Sequence, residues 1–313
     1  MWMMDIREKK IVVTGGAGFL GSYIVRMLKE RGVPDSHVVI PEQEEYDLRT
    51  KRACEEVVTG AQLVVHVAET TGDAEFHRDH PAEIIHDNLV MGVELMDAAR
   101  RAGVQKFVTI GSATEYPENA PLPFREENLW TGAVVPSHAS YAIAKKMLLA
   151  QAQAYRAQYH FNAIHLLLAN LYGPGTETRK GFVITNIIRR ILEAQKTGKA
   201  YIEAWGTGQA TRDFLYVSDA AEGVIQALET YDDAGPVNLG SGWEISIREL
   251  AELIARLMGF AGKIRWDTEK PEGSPRQMLD IARAEHAFGF RPKTTLTEGL
   301  KVTIAWHIHN DKS

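Results

Sequence analysis

Lys10-Ile11-Val12-Val13-Thr14-Gly15-Gly16-Ala17-Gly18-Phe19-Leu20-Gly21 opens as a β-branched run and passes directly into glycines. Ser22-Tyr23-Ile24-Val25-Arg26-Met27-Leu28 then continues as an amphipathic helix. Strand, glycine turn and helix in that order predict the first unit of a parallel α/β sheet that holds a dinucleotide. Gly15 permits the tight turn, Gly18 lets the backbone approach a pyrophosphate, and Gly21 allows helix and strand to pack closely. The helix N-terminus, with Phe19 and Leu20 in its first turn, offers unpaired N–H groups to the anion. Elsewhere such glycines would be only a turn; at the first strand–helix junction they point to NAD or NADP.

Strands and helices alternate onward from this unit, as a doubly wound parallel sheet requires. Val38-Val39-Ile40 reads as the second strand, Leu63-Val64-Val65-His66-Val67-Ala68 as the fourth and Phe107-Val108-Thr109-Ile110 as the fifth. Between the last two, Pro81 to Ala102 carries Ile85, Leu89, Val93 and Met96 at near-helical spacing, which predicts a helix covering one face of the sheet. Asn162 to Leu168 supplies a further strand, ending at Asn170-Leu171-Tyr172-Gly173-Pro174. The expected architecture is a Rossmann-type dinucleotide-binding domain over residues 1–173 with returns near 214–240. A smaller α/β substrate-binding lobe is expected over 174–213 and 241–313. Helix-like stretches at Ile247–Met258 and Leu296–Ile308 are assigned to core packing.

Within the first domain, Ser140-Tyr141-Ala142-Ile143-Ala144-Lys145 sits in a stretch of good helix formers free of Gly and Pro. Residues four apart on a helix share a face, so the Lys145 ammonium lies beside the Tyr141 phenol and favours its ionised form. An unperturbed tyrosine titrates near ~10 and is a poor base at neutral pH. Ser112, just past the Phe107–Ile110 strand, is placed to hold a substrate hydroxyl or carbonyl against that phenol. The bland alternative is a surface helix with two lysines; the glycine unit upstream argues against it.

The 313 residues, 45% hydrophobic and 24% charged, describe an ordinary globular chain with ample core. A net charge of −6 provides no basic field for nucleic acid or an anionic membrane. Cys54 alone excludes an intrachain disulfide framework and fits a reducing compartment. The N-terminal residues lack a secretory apolar stretch, no run reaches membrane-spanning length, and a cytoplasmic location is expected. His307 and His309, two apart without other nearby ligands, do not suggest a metal site.

Further motifs extend this reading: Asn170-Leu171-Tyr172-Gly173-Pro174, Trp205-Gly206-Thr207-Gly208, Arg212-Asp213-Phe214-Leu215-Tyr216-Val217-Ser218-Asp219, Asn238-Leu239-Gly240-Ser241-Gly242 and Lys270-Pro271-Glu272-Gly273-Ser274-Pro275-Arg276. Together with the glycine unit and Tyr141–Lys145, they resemble the nucleotide-sugar epimerase/dehydratase family of extended short-chain dehydrogenases/reductases, most closely its GDP-fucose synthase branch. The resemblance implies that Tyr141 is the acid/base, that Lys145 tunes it and holds the nicotinamide ribose, and that Ser112 bonds the substrate. Thr114 joins them as a catalytic-site residue. It further implies cofactor contacts at Asp47, Leu48, Ala68 and Asn88, and a nucleotide-sugar substrate met by Asn170, Arg190, Trp205, Arg212 and Arg276. Arginine suits that work because its planar fork pairs phosphate oxygens; otherwise Arg190 and Arg276 would be solvated charge and Trp205 core. A homodimer built on the Pro81–Ala102 helix and the helix bearing Tyr141 is also implied.

Departures from that branch narrow the chemistry. Fucose synthases invert two carbons with a cysteine and a histidine; Thr114 and Phe182 stand at those positions, and neither is a comparable proton carrier. His77, His80, His86 and His165 could in principle substitute, but nothing in the sequence places them at the sugar. A 4,6-dehydratase would carry an Asp-Glu pair where Ala113 and Thr114 stand. Glu115 is one residue further on, which in an extended segment turns the side chain to the other face. Ser112-Ala113-Thr114 instead matches the Ser-Ala-Thr of the UDP-galactose 4-epimerases.

Basic residues that would pair a 2′-phosphate are replaced by Pro41 and Gln43 amid Glu42, Glu44 and Glu45, so NAD is favoured over NADP, with Glu42 a ribose contact. The expected function is an NAD-dependent C4 epimerase of a nucleotide sugar, GDP-linked by resemblance. The alternatives are a fucose-synthase-like reductase of a 4-keto-6-deoxy sugar and a non-catalytic dinucleotide sensor.

Overall fold

A computed structural model describes residues 4–175, 182–270 and 273–310; Pro271 and Glu272 of the last motif lie outside them. In chain order the strands are β1 (Ile11–Thr14), β2 (Val38–Val39), β3 (Leu63–His66), β4 (Lys106–Ser112), β5 (Ala163–Leu168), β6 (Asn170–Tyr172), β7 (Tyr201–Trp205), β8 (Thr211–Arg212), β9 (Phe214–Tyr216), β10 (Val237–Leu239), β11 (Ile245–Ser246), β12 (Lys263–Asp267) and β13 (Arg276–Gln277). The helices are α1 (Phe19–Glu30), α2 (Lys51–Val57), α3 (Ala74–Asp79), α4 (Pro81–Arg101), α5 (Ala139–Tyr159), α6 (Val183–Thr197), α7 (Val217–Thr230), α8 (Ile247–Leu257), α9 (Ala282–Phe288) and α10 (Leu296–Asn310).

Six strands form one parallel sheet in the order β10-β5-β4-β3-β1-β2. Its central strands are buried on both faces, which is why Ile11-Val12-Val13 and Leu63-Val64-Val65 read as unbroken apolar runs rather than alternating ones. Leu63–His66 pairs directly with β1, the neighbour that the fourth strand of a Rossmann sheet takes, but it is the third strand in chain order. Among the described residues no strand forms between Val39 and Leu63. Residues 41–50 start with a proline that has no N–H and carry three glutamates and an aspartate, so they fold into turns beside β1.

One apolar core packs α1 and α7 against the sheet, and a second packs α2, α4 and α5 on the opposite face. α4 appears where periodicity placed it and α5 where its good helix formers did, but the face of α4 is rotated. Ile84, Leu95, Met96, Ala98 and Ala99 are buried, whereas Val93 of the expected stripe is 37% exposed. Gly92 explains the choice: a Cβ there would lie 2.5 Å from Leu148, so the glycine lets α5 approach closely. Val93 of α4 instead faces outward, its carbonyl bonded by Gln151 of α5, and Ile143 and Met147 on α5 are exposed as well.

A third core is built from α6, α8 and α10 with Ile202 of β7. Between α6 and α8 the chain returns to the main sheet: α7 packs on α1, and β10 adds the edge strand beside β5. Buried Lys106 ties this return down by donating to the carbonyls of Ala227 and Leu228 at 2.9 and 2.8 Å, where burial pulls its pKa down to about 8. The lone Cys54 is buried against the carbonyl of Leu48, and burial pushes its thiol up to about 12.

Candidate active site

The glycine unit folds as its spacing dictates. Gly15 adopts φ +65°, and a Cβ on Gly21 would lie 2.0 Å from the carbonyl oxygen of Gly15. Neither position tolerates a side chain. Gly18, the residue before α1, provides no side-chain cap, and no acidic side chain occupies the first turn, so the helix N-terminus is left to an anionic ligand. Behind the turn, the Thr14 hydroxyl accepts the Val67 and Ala68 N–H groups at 3.2 Å each and bonds His66 Nδ1 at 2.8 Å. His66 is held neutral, its pKa pulled down to about 3 by burial and then by the Lys145 charge.

A cleft of about 370 Å³ opens on this turn. Gly15, Gly18, Phe19, Leu20, Gly21, Glu42, Asp47, Leu48 and Ala68 all line it, so residues read separately from the sequence converge on one surface. Its size and its glycine floor fit part of a dinucleotide. Asn88 is placed differently. Its amide donates to the carbonyls of Thr70 and Ile84 at 2.7 and 2.8 Å and accepts the Thr70 N–H at 3.1 Å, so it fixes the cleft wall from behind. Arg49, unread in the sequence, also lines the cleft, with its guanidinium engaged by Asp47 and Asp87.

Tyr141 and Lys145 share one face of α5, and both are buried. They meet on a third group that sequence reasoning missed. The Tyr141 hydroxyl donates to Glu69 Oε2 at 2.7 Å, and Lys145 Nζ lies 3.1 Å from the same oxygen. Glu69 itself forms part of the cleft wall. Its position directly after the Leu63–Ala68 run was the available signal.

Ser112 lies at the end of β4, where a short turn, Ala113–Glu115, follows. Its Oγ accepts from the Thr114 N–H at 3.2 Å and the Thr114 hydroxyl at 3.1 Å, which leaves the serine's own hydrogen for a substrate oxygen. Glu115 turns back onto the Ser112 backbone because Ala113–Glu115 is a helical turn capped by Ser112, and not the extended segment that the one-residue offset assumed. Its Oε1 accepts the Ser112 N–H at 2.8 Å, and Oε2 lies 3.1 Å from His165 Nε2, with both side chains fully buried. His165 Nδ1 in turn bonds Thr109 at 2.6 Å. A Cβ on Gly111 would come within 2.3 Å of both Glu115 and His165, so the glycine makes room for this pair.

On the other side of the turn, Thr114, His138 and Arg276 line a second cavity of about 190 Å³. His77, which the sequence could not place, stacks near His138 at 5.1 Å and sets its edge against the Tyr141 ring at 5.7 Å. His80 and His86 instead pair with Glu83 and Asp87 on α4.

The residues that the resemblance assigned to the substrate lie on β6, α6, β7, β8 and β13. β13 runs beside β8, pairing Arg276 with Thr211 and Gln277 with Arg212. Arg276 is bound by Glu244, and Arg212 donates to the carbonyl of Thr211 at 2.7 Å. Arg190 donates to the carbonyl of Glu203 and stands 6.0 Å from the ring of Trp205, which is 53% exposed and therefore not core. Asn170 donates to the carbonyl of Asp213 at 3.1 Å. The Asp213 carboxyl, pushed up to about 6 by burial, holds Ser241 through its N–H and hydroxyl at 2.9 and 2.6 Å. Among the described residues no cluster of three or more His, Cys, Asp or Glu side chains could hold a metal ion, and no helix is long and apolar enough to cross a membrane.

Comparison with known proteins accounts for this arrangement. GDP-L-fucose synthase 1 of Arabidopsis thaliana is 36% identical over 98% of this chain and 95% of its own. Among solved structures, a GDP-6-OMe-4-keto-L-xylo-heptose reductase from C. jejuni superposes with a TM-score of 0.90 at 25% identity, covering 98% of this chain and 99% of that one. A GDP-mannoheptose C4 reductase from Campylobacter jejuni with NADP bound gives a TM-score of 0.84 at 27% identity, covering 96% and 98%. Residues 11–240, from the first strand to the returning β10, match the profile of the NAD dependent epimerase/dehydratase family. The glycine cleft and the Tyr141–Lys145 pair thus sit in a chain that belongs to that family.

Proposed function

We propose that this protein reduces the 4-keto group of a GDP-linked sugar at the expense of a nicotinamide dinucleotide, without inverting the neighbouring carbons. The observation that carries the reading is the side-chain set around Tyr141: a phenol, a lysine and a donating serine, with Thr114 bound to Ser112 rather than acting as a carbon base. The Arabidopsis relative's name and the two reductase titles support a reduction over the C4 epimerisation favoured by the Ser112-Ala113-Thr114 match.

When bound, the reduced nicotinamide supplies a hydride, with its electron pair, to the carbonyl carbon. Ser112 donates to the carbonyl oxygen and polarises it. Tyr141 delivers the proton to that oxygen, so the C=O π bond is replaced by one C–H and one O–H bond. The phenolate left behind is stabilised by Lys145 and takes a proton back from water. Asn170, Arg190, Trp205, Arg212 and Arg276 are assigned to the nucleotide half of the substrate, within a lobe spanning 174–213 and 241–313.

NAD is proposed over NADP. Glu42, Gln43 and Glu44 line the far end of the cleft, and Arg49 is offset there by Asp47 and Asp87. A 2′-phosphate would meet net negative charge. The outward apolar side of α4 and α5 is assigned to a homodimer, and the cytoplasm to the protein's location.

The test is incubation with a GDP-4-keto-6-deoxy sugar and NADH or NADPH in deuterated water. Stoichiometric cofactor oxidation, with no solvent deuterium at C3 or C5 of the product by NMR, is expected. Deuterium at those carbons would restore the inversions, and turnover without net cofactor change would restore the epimerase.

A further inference from the structure

We propose that Glu69 makes this site bind the oxidised, cationic form of its dinucleotide more tightly than the reduced, neutral form. The inference rests on the reading that the cleft holds a nicotinamide dinucleotide and goes beyond it by assigning a residue that selects between redox states.

Three observations carry it. Glu69 lies in the wall of the glycine-lined cleft. A single one of its carboxylate oxygens accepts from the Tyr141 hydroxyl at 2.7 Å and pairs with Lys145 Nζ at 3.1 Å. Its side chain is only 15% exposed and that of Lys145 only 2%, so water screens the group weakly. Proton and hydride reach the two atoms of one C=O bond, so the ring that gives up hydride stands beside the phenol that gives up the proton. A carboxylate bonded to that phenol is therefore near the ring.

The oxidised nicotinamide ring carries a positive charge and the reduced ring none. Lys145 by itself would disfavour the cationic ring; Glu69 counters that charge. His66 adds no further positive charge, being held neutral by burial, and burial also lowers the pKa of His77. Positive charge develops on the ring as hydride leaves, so the same carboxylate lowers the barrier to reduction of the substrate and slows release of the spent cofactor.

The experiment is calorimetric titration of the intact protein with both redox forms of NAD and of NADP, without substrate, comparing wild type with Glu69→Gln and Glu69→Asp. Glutamine keeps the shape and an acceptor for the Tyr141 hydroxyl but removes the charge. The ratio of Kd for the reduced form to Kd for the oxidised form is expected to fall about tenfold in Glu69→Gln. Glu69→Asp should retain most of the wild-type preference. If glutamine weakens or strengthens both forms in parallel, with the ratio unchanged, Glu69 is only a structural contact and the inference is overturned. If wild type binds no dinucleotide in either form, the functional reading fails as well, and the two failures are thereby told apart.

Discussion

In the proposed reaction a single atom of Tyr141 decides activity. Replacing it with phenylalanine removes the proton donor while the ring keeps its packing against His77, so turnover should fall by at least ~100-fold with dinucleotide affinity nearly unchanged. A variant with wild-type turnover would refute its role. His66 is a second residue-scale lever, through pH. The unfolded chain takes up a proton at a histidine near about 6.5 that the folded protein refuses until about 3, so the protein loses stability as pH falls through that window. Asp213, raised to about 6, acts in the opposite sense, since the fold holds its proton where an unfolded aspartate has lost it. Thermal melts of wild type and His66→Gln should therefore diverge as pH drops from about 6.5 towards 3, with the variant showing the smaller loss. At this scale the sequence was partly legible. The shared face of Tyr141 and Lys145 was readable because their spacing on one helix fixes it, whereas Glu69 and His77 reach Tyr141 only through contacts that span the fold.

The elements show where spacing suffices and where it does not. A glycine turn between a β-branched strand and an amphipathic helix specifies its own geometry, so the dinucleotide cleft could be read before any tertiary contact was known. Gly21→Ala tests this: its methyl group would lie 2.0 Å from a backbone oxygen that cannot move without opening the turn. Titration should show dinucleotide binding lost before the far-ultraviolet circular dichroism changes. The β4 turn depends instead on Glu115, in the turn itself, and His165, on β5, which lie 50 residues apart and could not be paired by inspection. Glu115→Ala removes the acceptor of the Ser112 N–H and leaves His165 without its partner, at a cost of about 2–4 kcal/mol. The gentler Glu115→Gln should lower kcat while leaving dinucleotide Kd intact, as expected of a group that positions Ser112. The helix α4 was foreseen in extent but not in face, because periodicity finds an apolar stripe without saying what covers it. Apolar residues on two sides of one helix need two partners.

At the scale of the molecule, that second side supports the proposed homodimer. Met147→Glu combined with Val93→Glu should convert the protein to monomers in sedimentation analysis, without altering the buried cores. The separation of sheet and lobe supports another measurement: Arg212→Ala should raise substrate KM far more than dinucleotide Kd, and equal losses would mean that the lobe is misassigned. The backbone carbonyls of Ala227 and Leu228 that Lys106 binds lie more than a hundred residues away in the chain, so no local pattern announces the contact. The edge strand beside β5 and the helix lying on α1 are both encoded well past the middle of the chain. A nascent polypeptide emerging from the ribosome therefore carries the whole glycine turn long before it has the layer that roofs it, and the nucleotide fold must wait for most of its message to be translated. A truncated transcript ending before that return would yield an exposed sheet edge and an aggregation-prone fragment rather than a smaller working domain.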